Sequence, residues 1–134
     1  MHGTVLGDLT IDVVEPRADL IELYWSGASN HRDPATALRP FFNLLLAEAT
    51  TRSARIELHF EKLTFFNSST VSALIRFVQD AAKRSLKLGL FYDGSLRWQA
   101  HNFKTISLLH GLEHGVEVFG LSTSQPPEKI GAAR

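Results

Sequence analysis

The sequence predicts an α/β fold, a mixed β-sheet with parallel βαβ units and helices mainly on one face. Two short apolar runs near the start, Leu9–Val14 and Leu20–Trp25, flank Glu15-Pro16-Arg17-Ala18-Asp19 and read as a hairpin. From Arg55 onward, strand-like runs alternate with single helical stretches, which implies parallel pairing through right-handed crossovers. Arg55–Phe60 alternates strictly, with Ile56, Leu58 and Phe60 on one side and Arg55, Glu57 and His59 on the other. A strand with that pattern is covered on one face only.

The segment from Ser26 to Arg32 is loop by composition, and Asp33-Pro34 is a helix start with a capping acid and a proline at the first position. Pro40 lacks an N–H and clashes with the carbonyl one turn back, so the expected element is a short turn followed by the main helix from about Pro40 to Thr51. After the Arg55 strand, Val71, Leu74, Ile75, Val78, Ala81 and Ala82 recur at helical spacing, ending near Ser85. Lys87–Tyr92 is a further strand, Gly94–His101 a polar connection carrying Trp98, and Asn102–His110 a helix stopped by Gly111. Val116–Phe119 is the last strand. The domain is expected to span 1–120, with 121–134 a flexible tail of Pro, Lys and small residues.

Composition bounds the function. The 134 residues fit one domain with a real core, and 44% hydrophobic and 21% charged residues are ordinary globular values. Fourteen basic and fourteen acidic residues give zero net charge, so no overall basic field draws nucleic acid or an anionic membrane. The chain has no cysteine, which excludes disulfides and thiolate metal sites. It shows neither the basic start and apolar core of a signal peptide nor an apolar run of membrane-spanning length, so a cytoplasmic protein is expected.

The stretch most like a site is Leu63–Val78. Here an apolar strand leaves Phe66 into Asn67-Ser68-Ser69-Thr70 before the amphipathic helix begins. These side-chain oxygens can cap the free N–H groups of a helix start, where an anion or a phosphate is also favoured. Asn67 or Ser68 as a plain N-cap and a phosphorylated hydroxyl are the two readings of this turn. Trp98 is placed at the same edge of the sheet, where α/β folds put ligand and partner sites, with core capping as its alternative role. Phe77 falls about a quarter turn off the apolar stripe, on its rim, where it can pack on a neighbouring helix or meet a partner.

Other chemistry is weakly supported. His110-Gly111-Leu112-Glu113-His114 has an i, i+4 histidine pair, but Gly111 ends the helix that would align them. No phosphate-binding glycine loop follows the early strands. His59 or His101 as a base for Ser68 or Ser69 is not required by any spacing. No catalytic residue, metal or cofactor is expected.

The segment from Ile56 to Val118 resembles the STAS domain, the family of anti-sigma-factor antagonists and of the cytoplasmic domains of sulfate transporters. The resemblance rests on the strand Ile56–Phe60, the turn Asn67-Ser68-Ser69-Thr70, the helix Val71–Ser85, the strand Leu88–Tyr92 and the run Leu108-Leu109-His110-Gly111-Leu112. The Gly94–Gln99 stretch is similar to a stand-alone bacterial branch. In that family the serine after the turn's acid is phosphorylated and matches Ser68, with Ser69 the second candidate. Asn67 stands where the family usually has the acid, and Thr70 where it has glycine. The resemblance implies a non-enzymatic partner-switching module of bacterial signalling. Its partners would be an anti-sigma factor, or a serine kinase and phosphatase, met through Asn67, Ser68, Ser69, Thr70, Phe77 and Trp98. The alternative is a small-ligand sensor with a pocket between the turn and the Trp98 connection, and a hydrolase using Ser68 is a third reading. Oligomeric state is not indicated.

Overall fold

A computed structural model describes residues 1–109, 115–122 and 125–132. The chain order is β1 (Thr4–Leu6), β2 (Leu9–Arg17), β3 (Leu20–Ser29), α1 (Pro34–Arg52), β4 (Arg55–Phe66), α2 (Ser68–Lys83), β5 (Leu88–Asp93), α3 (Arg97–Leu109), β6 (Val116–Ser122) and β7 (Gln125–Ala132). All seven strands form one sheet in sequential order. Strands β1, β2 and β3 pair antiparallel, β3 to β6 pair parallel, and β7 closes the far edge antiparallel to β6. Three crossovers stepping in the same direction, each right-handed, place α1, α2 and α3 on one face.

That face holds the core. Ile21, Leu23 and Trp25 of β3, Ile56, Leu58 and Phe60 of β4, Leu88, Leu90 and Tyr92 of β5, and Val116 and Val118 of β6 are buried under the helices. The helices answer with Leu38, Phe42, Leu45, Leu46 and Ala49 of α1, Leu74, Phe77, Val78 and Ala81 of α2, and Phe103 and Ile106 of α3. The alternation of Arg55–Phe60 is therefore realised as expected, and Glu57 and His59 point away from the helices.

Several boundaries differ from the sequence expectation. Helix α1 runs through Pro40 instead of starting there. Pro34, Leu38 and Phe42 lie one turn apart and are all buried, so packing outweighs the single hydrogen bond that Pro40 removes. Asp33 caps this helix, its Oδ1 accepting from the Thr36 N–H at 3.3 Å. Strand β3 continues to Ser29 through the segment expected as loop, because β4 also extends and supplies partners up to Ser29–Phe66. Gly27 permits this: its φ is +81°, and a Cβ there would sit 2.1 Å from the Asp8 carbonyl oxygen. Helix α3 begins at Arg97, so Trp98 is helical and not in a connection. Within the stretch expected as a tail, 121–122 end β6 and Gln125–Ala132 form β7. The unpaired edge of β6 supplies the hydrogen bonds that order them, from Glu117–Ala132 to Ser122–Gln125. His110 and His114 lie outside the described residues.

Candidate functional site at the start of helix α2

Strands β3 and β4 project past β5, whose pairing with β4 ends at His59–Phe91. Their shared end carries the turn into α2. Asn67 is the N-cap, and its Oδ1 accepts from the Thr70 N–H at 2.9 Å and from the Thr70 hydroxyl at 2.7 Å. Its amide Nδ2 donates to the His31 carbonyl at 3.0 Å, and its own N–H donates to the Ser29 carbonyl at 3.1 Å. Thr70 is fully buried, with its hydroxyl 2.7 Å from that of Ser29. One polar knot thus joins the ends of β3 and β4, the loop before α1 and the first turn of α2.

Ser68 stands outside this knot. It is the first residue of α2 and exposed, and Ser69 beside it is partly exposed. The first-turn N–H groups of a helix have no intrahelical partners, and their dipole favours negative charge. Residue for residue, the expected site divides. Asn67, Ser68 and Ser69 reach the surface. Thr70 does not, because its side chain is consumed in the knot. Phe77 is a correction too: it is 2% exposed, its ring centroid 4.7 Å from that of Phe42. The interface between α1 and α2 closes over the rim position on which the periodicity placed it. Phe77 instead floors a shallow groove of about 170 Å³ between α1 and α2, flanked by Arg39 and Arg76.

Trp98 is brought to the turn by ring contact, its centroid 5.2 Å from that of Phe66, the last residue of β4. Phe66 also meets Phe103 at 5.8 Å. These rings link the base of the turn to α3. Next to Trp98, Gln99 is fully buried and ties α3 to the strand ends. Its Nε2 donates to the carbonyls of Phe60 at 2.8 Å and Leu63 at 2.9 Å, and its Oε1 accepts from the Asp93 N–H at 2.8 Å.

Sequence reasoning missed two apolar side chains at the same edge. Phe65, on the strand just before the turn, is 49% exposed, and Leu96, after β5, is 36% exposed. The alternation in Phe65-Phe66 was a usable signal, since one of two adjacent strand residues must face outward. Exposed apolar groups beside an exposed serine are suited to meeting another protein surface.

No family model matches the sequence, and no curated protein matches it either. Among solved structures, the chain is similar to the crystal structure of an anti-sigma factor antagonist from Mycobacterium paratuberculosis, at TM-score 0.57 and 15% identity, covering 78% of this chain and 86% of that chain. No described helix is long and apolar enough to cross a membrane. The protein has the α/β fold of that antagonist, the STAS fold that the sequence resemblance implied.

Proposed function

We propose that the protein is a non-enzymatic regulator of bacterial signalling, binding a protein partner through the exposed part of the Asn67–Ser69 turn, the first turns of α2 and the flanking Phe65 and Trp98. In this reading phosphorylation of Ser68 releases the partner, which is an anti-sigma factor or a serine kinase of a cytoplasmic partner-switching system. The observation that carries it is the contrast within the turn. Asn67 and Thr70 are locked by hydrogen bonds, whereas the Ser68 side chain is exposed at a helix start. A phosphate there adds about −1.5 to −2 charges without disturbing the knot beneath. At an interface the same group must be desolvated against a surface shaped for a neutral hydroxyl. The alternative is a small-ligand sensor with a site between the turn and Trp98, whose ring meets that of Phe66.

The test is calorimetric binding of Ser68→Asp to the anti-sigma factor or serine kinase that binds the parent protein. Binding should weaken at least tenfold, equivalent to about 1.4 kcal/mol, with the melting temperature unchanged. Ser68→Ala should bind normally and resist release by kinase, and Ser69→Ala should behave as the parent. Parent-like binding by Ser68→Asp, together with an intact mass showing no phosphate on protein from its native host, would remove the switch.

A further inference from the structure

The sheet face opposite the helices carries a row of four rings in strict register: Tyr24 of β3, His59 of β4, Phe91 of β5 and Phe119 of β6. Neighbouring centroids are 4.6, 4.6 and 4.9 Å apart, with interplanar angles of 12°, 9° and 16°. His59 is therefore covered on both faces, and its imidazole cannot rotate without breaking two stacks. Its nitrogens consequently point along β4 in opposite directions. Nε2 lies 3.4 Å from Glu57 Oε1, and Nδ1 lies 3.6 Å from Glu61 Oε1.

Glu22, the register partner of Glu57 on β3, completes a group of three. One ligand atom from each of Glu22, Glu57 and His59 lies within 4.8 Å of the others. Two atoms bound about 2.1 Å from one tetrahedral ion sit about 3.4 Å apart, which is the spacing Nε2 and Glu57 Oε1 already have. Arg55 Nε donates to Glu57 Oε2 at 3.0 Å, and the Tyr24 hydroxyl donates to Glu22 Oε1 at 3.3 Å. An independent feature lies on the far side of the ring: Glu61 Oε1 is buried and has no hydrogen-bond partner, and it faces Nδ1. Carboxylates thus face both ring nitrogens, and a cation taken at Nε2 beside Glu57 would leave Glu61 opposite the distal nitrogen, the arrangement that orients a metal-bound imidazole.

We propose that Glu22, Glu57 and His59 bind one first-row divalent transition-metal ion, with Glu61 as the positioning residue for the imidazole and water completing the coordination. One nitrogen with carboxylate oxygens suits zinc or cobalt, whereas magnesium and calcium prefer oxygen alone. The ion would clip β3 to β4 on the face away from Ser68, so it stands apart from the partner reading. The proton is its competitor at Nε2.

The experiment is titration of the untagged full chain with zinc chloride, and separately with cobalt chloride, followed by calorimetry and by cobalt absorption. One ion per chain is expected, and magnesium chloride should give no binding. His59→Phe keeps a ring in the stack while removing both nitrogens, and it should abolish binding. Glu22→Gln and Glu61→Gln, at partly exposed positions that leave the fold intact, should each weaken binding by about 10- to 100-fold. Absence of 1:1 binding in the parent overturns the site. So does parent-like affinity in His59→Phe or in both glutamine variants, since the ion would then reside elsewhere.

Discussion

Gln99→Leu isolates the tie that holds the strand ends against α3. Beyond His59, β4 has no partner on β5, so the carbonyls of Phe60 and Leu63 would be buried without hydrogen bonds. Gln99 Nε2 takes both, and its Oε1 takes the Asp93 N–H. Leucine has nearly the same volume and no polar atoms, so the change leaves three backbone groups orphaned without opening a cavity. Each such group costs about 1–3 kcal/mol when buried. Three at the low end give about 3 kcal/mol, and the additional apolar surface of leucine returns only part of it. A loss of about 3 kcal/mol is a large fraction of the 5–15 kcal/mol typical of a whole domain. Urea melts followed by circular dichroism measure it as a fall in midpoint at unchanged slope. Gln79→Leu, on the exposed face of α2, is the control and should stay within about 0.5 kcal/mol. A loss below about 1 kcal/mol for Gln99→Leu would refute the assignment of these bonds as the support of the strand ends.

Two other outcomes test the assignment of faces and charges. Leu58 is fully buried at the centre of β4, so Leu58→Ala should cost about 2–5 kcal/mol. Glu57→Ala, on the opposite face with a partly exposed ion pair to Arg55, should cost under about 1 kcal/mol in metal-free buffer, and equal losses in denaturant melts would mean the faces are reversed. Glu15 is held below its ordinary pKa of 4.5 by hydrogen bonds from the Met1 ammonium at 2.9 Å and from Arg52 at 2.6 Å. A depressed folded pKa contributes stability that is present above the unfolded value and lost as pH falls through the folded one. The stability gap between parent and Glu15→Gln should therefore be full near neutrality and shrink below about pH 4.5. A gap that stays constant into acid would remove Glu15 from the ion-pair cluster.

The parts legible in the sequence were those governed by local periodicity. Arg55–Phe60 reads with a period of two and Val71–Ala82 with a period near 3.6, and both elements stand where those patterns put them. Tertiary packing decided the rest. The Pro40 signal for a helix start was locally sound, but Leu38 and Phe42 anchor the turns on either side of it. Phe77 looked peripheral on a helical wheel of α2 alone, since only the approach of α1 covers that side. Thr70 and Ser29 are 41 residues apart, so no spacing within the turn could disclose that their hydroxyls meet. The ring row on the open face was half visible, because alternation put Glu57 and His59 together on the polar side of β4. Its register with Tyr24, Phe91 and Phe119 depends on three strand pairings that the sequence does not specify.

Asparagine at position 67, where the similar family usually carries an acid, has a structural reason that bears on the proposed regulation. A carboxylate could accept from the Thr70 N–H and hydroxyl as Asn67 Oδ1 does, but only an amide can also donate to the His31 carbonyl. That donation fixes the loop before α1 against the turn, so the surface around Ser68 is assembled from two distant segments and held in one shape. The same substitution removes a negative charge beside Ser68, and the first turn of α2 contains no acidic residue. A phosphate on Ser68 would then meet the positive end of α2 with no acidic side chain in its first turn, where such a charge is stabilised by about 0.3–1 kcal/mol. The fold therefore has no reason to resist the modification. In the proposed function, the effect of that phosphate would therefore be expressed at the surface, in the desolvation it would impose on a partner approaching Phe65, Ser68 and Trp98.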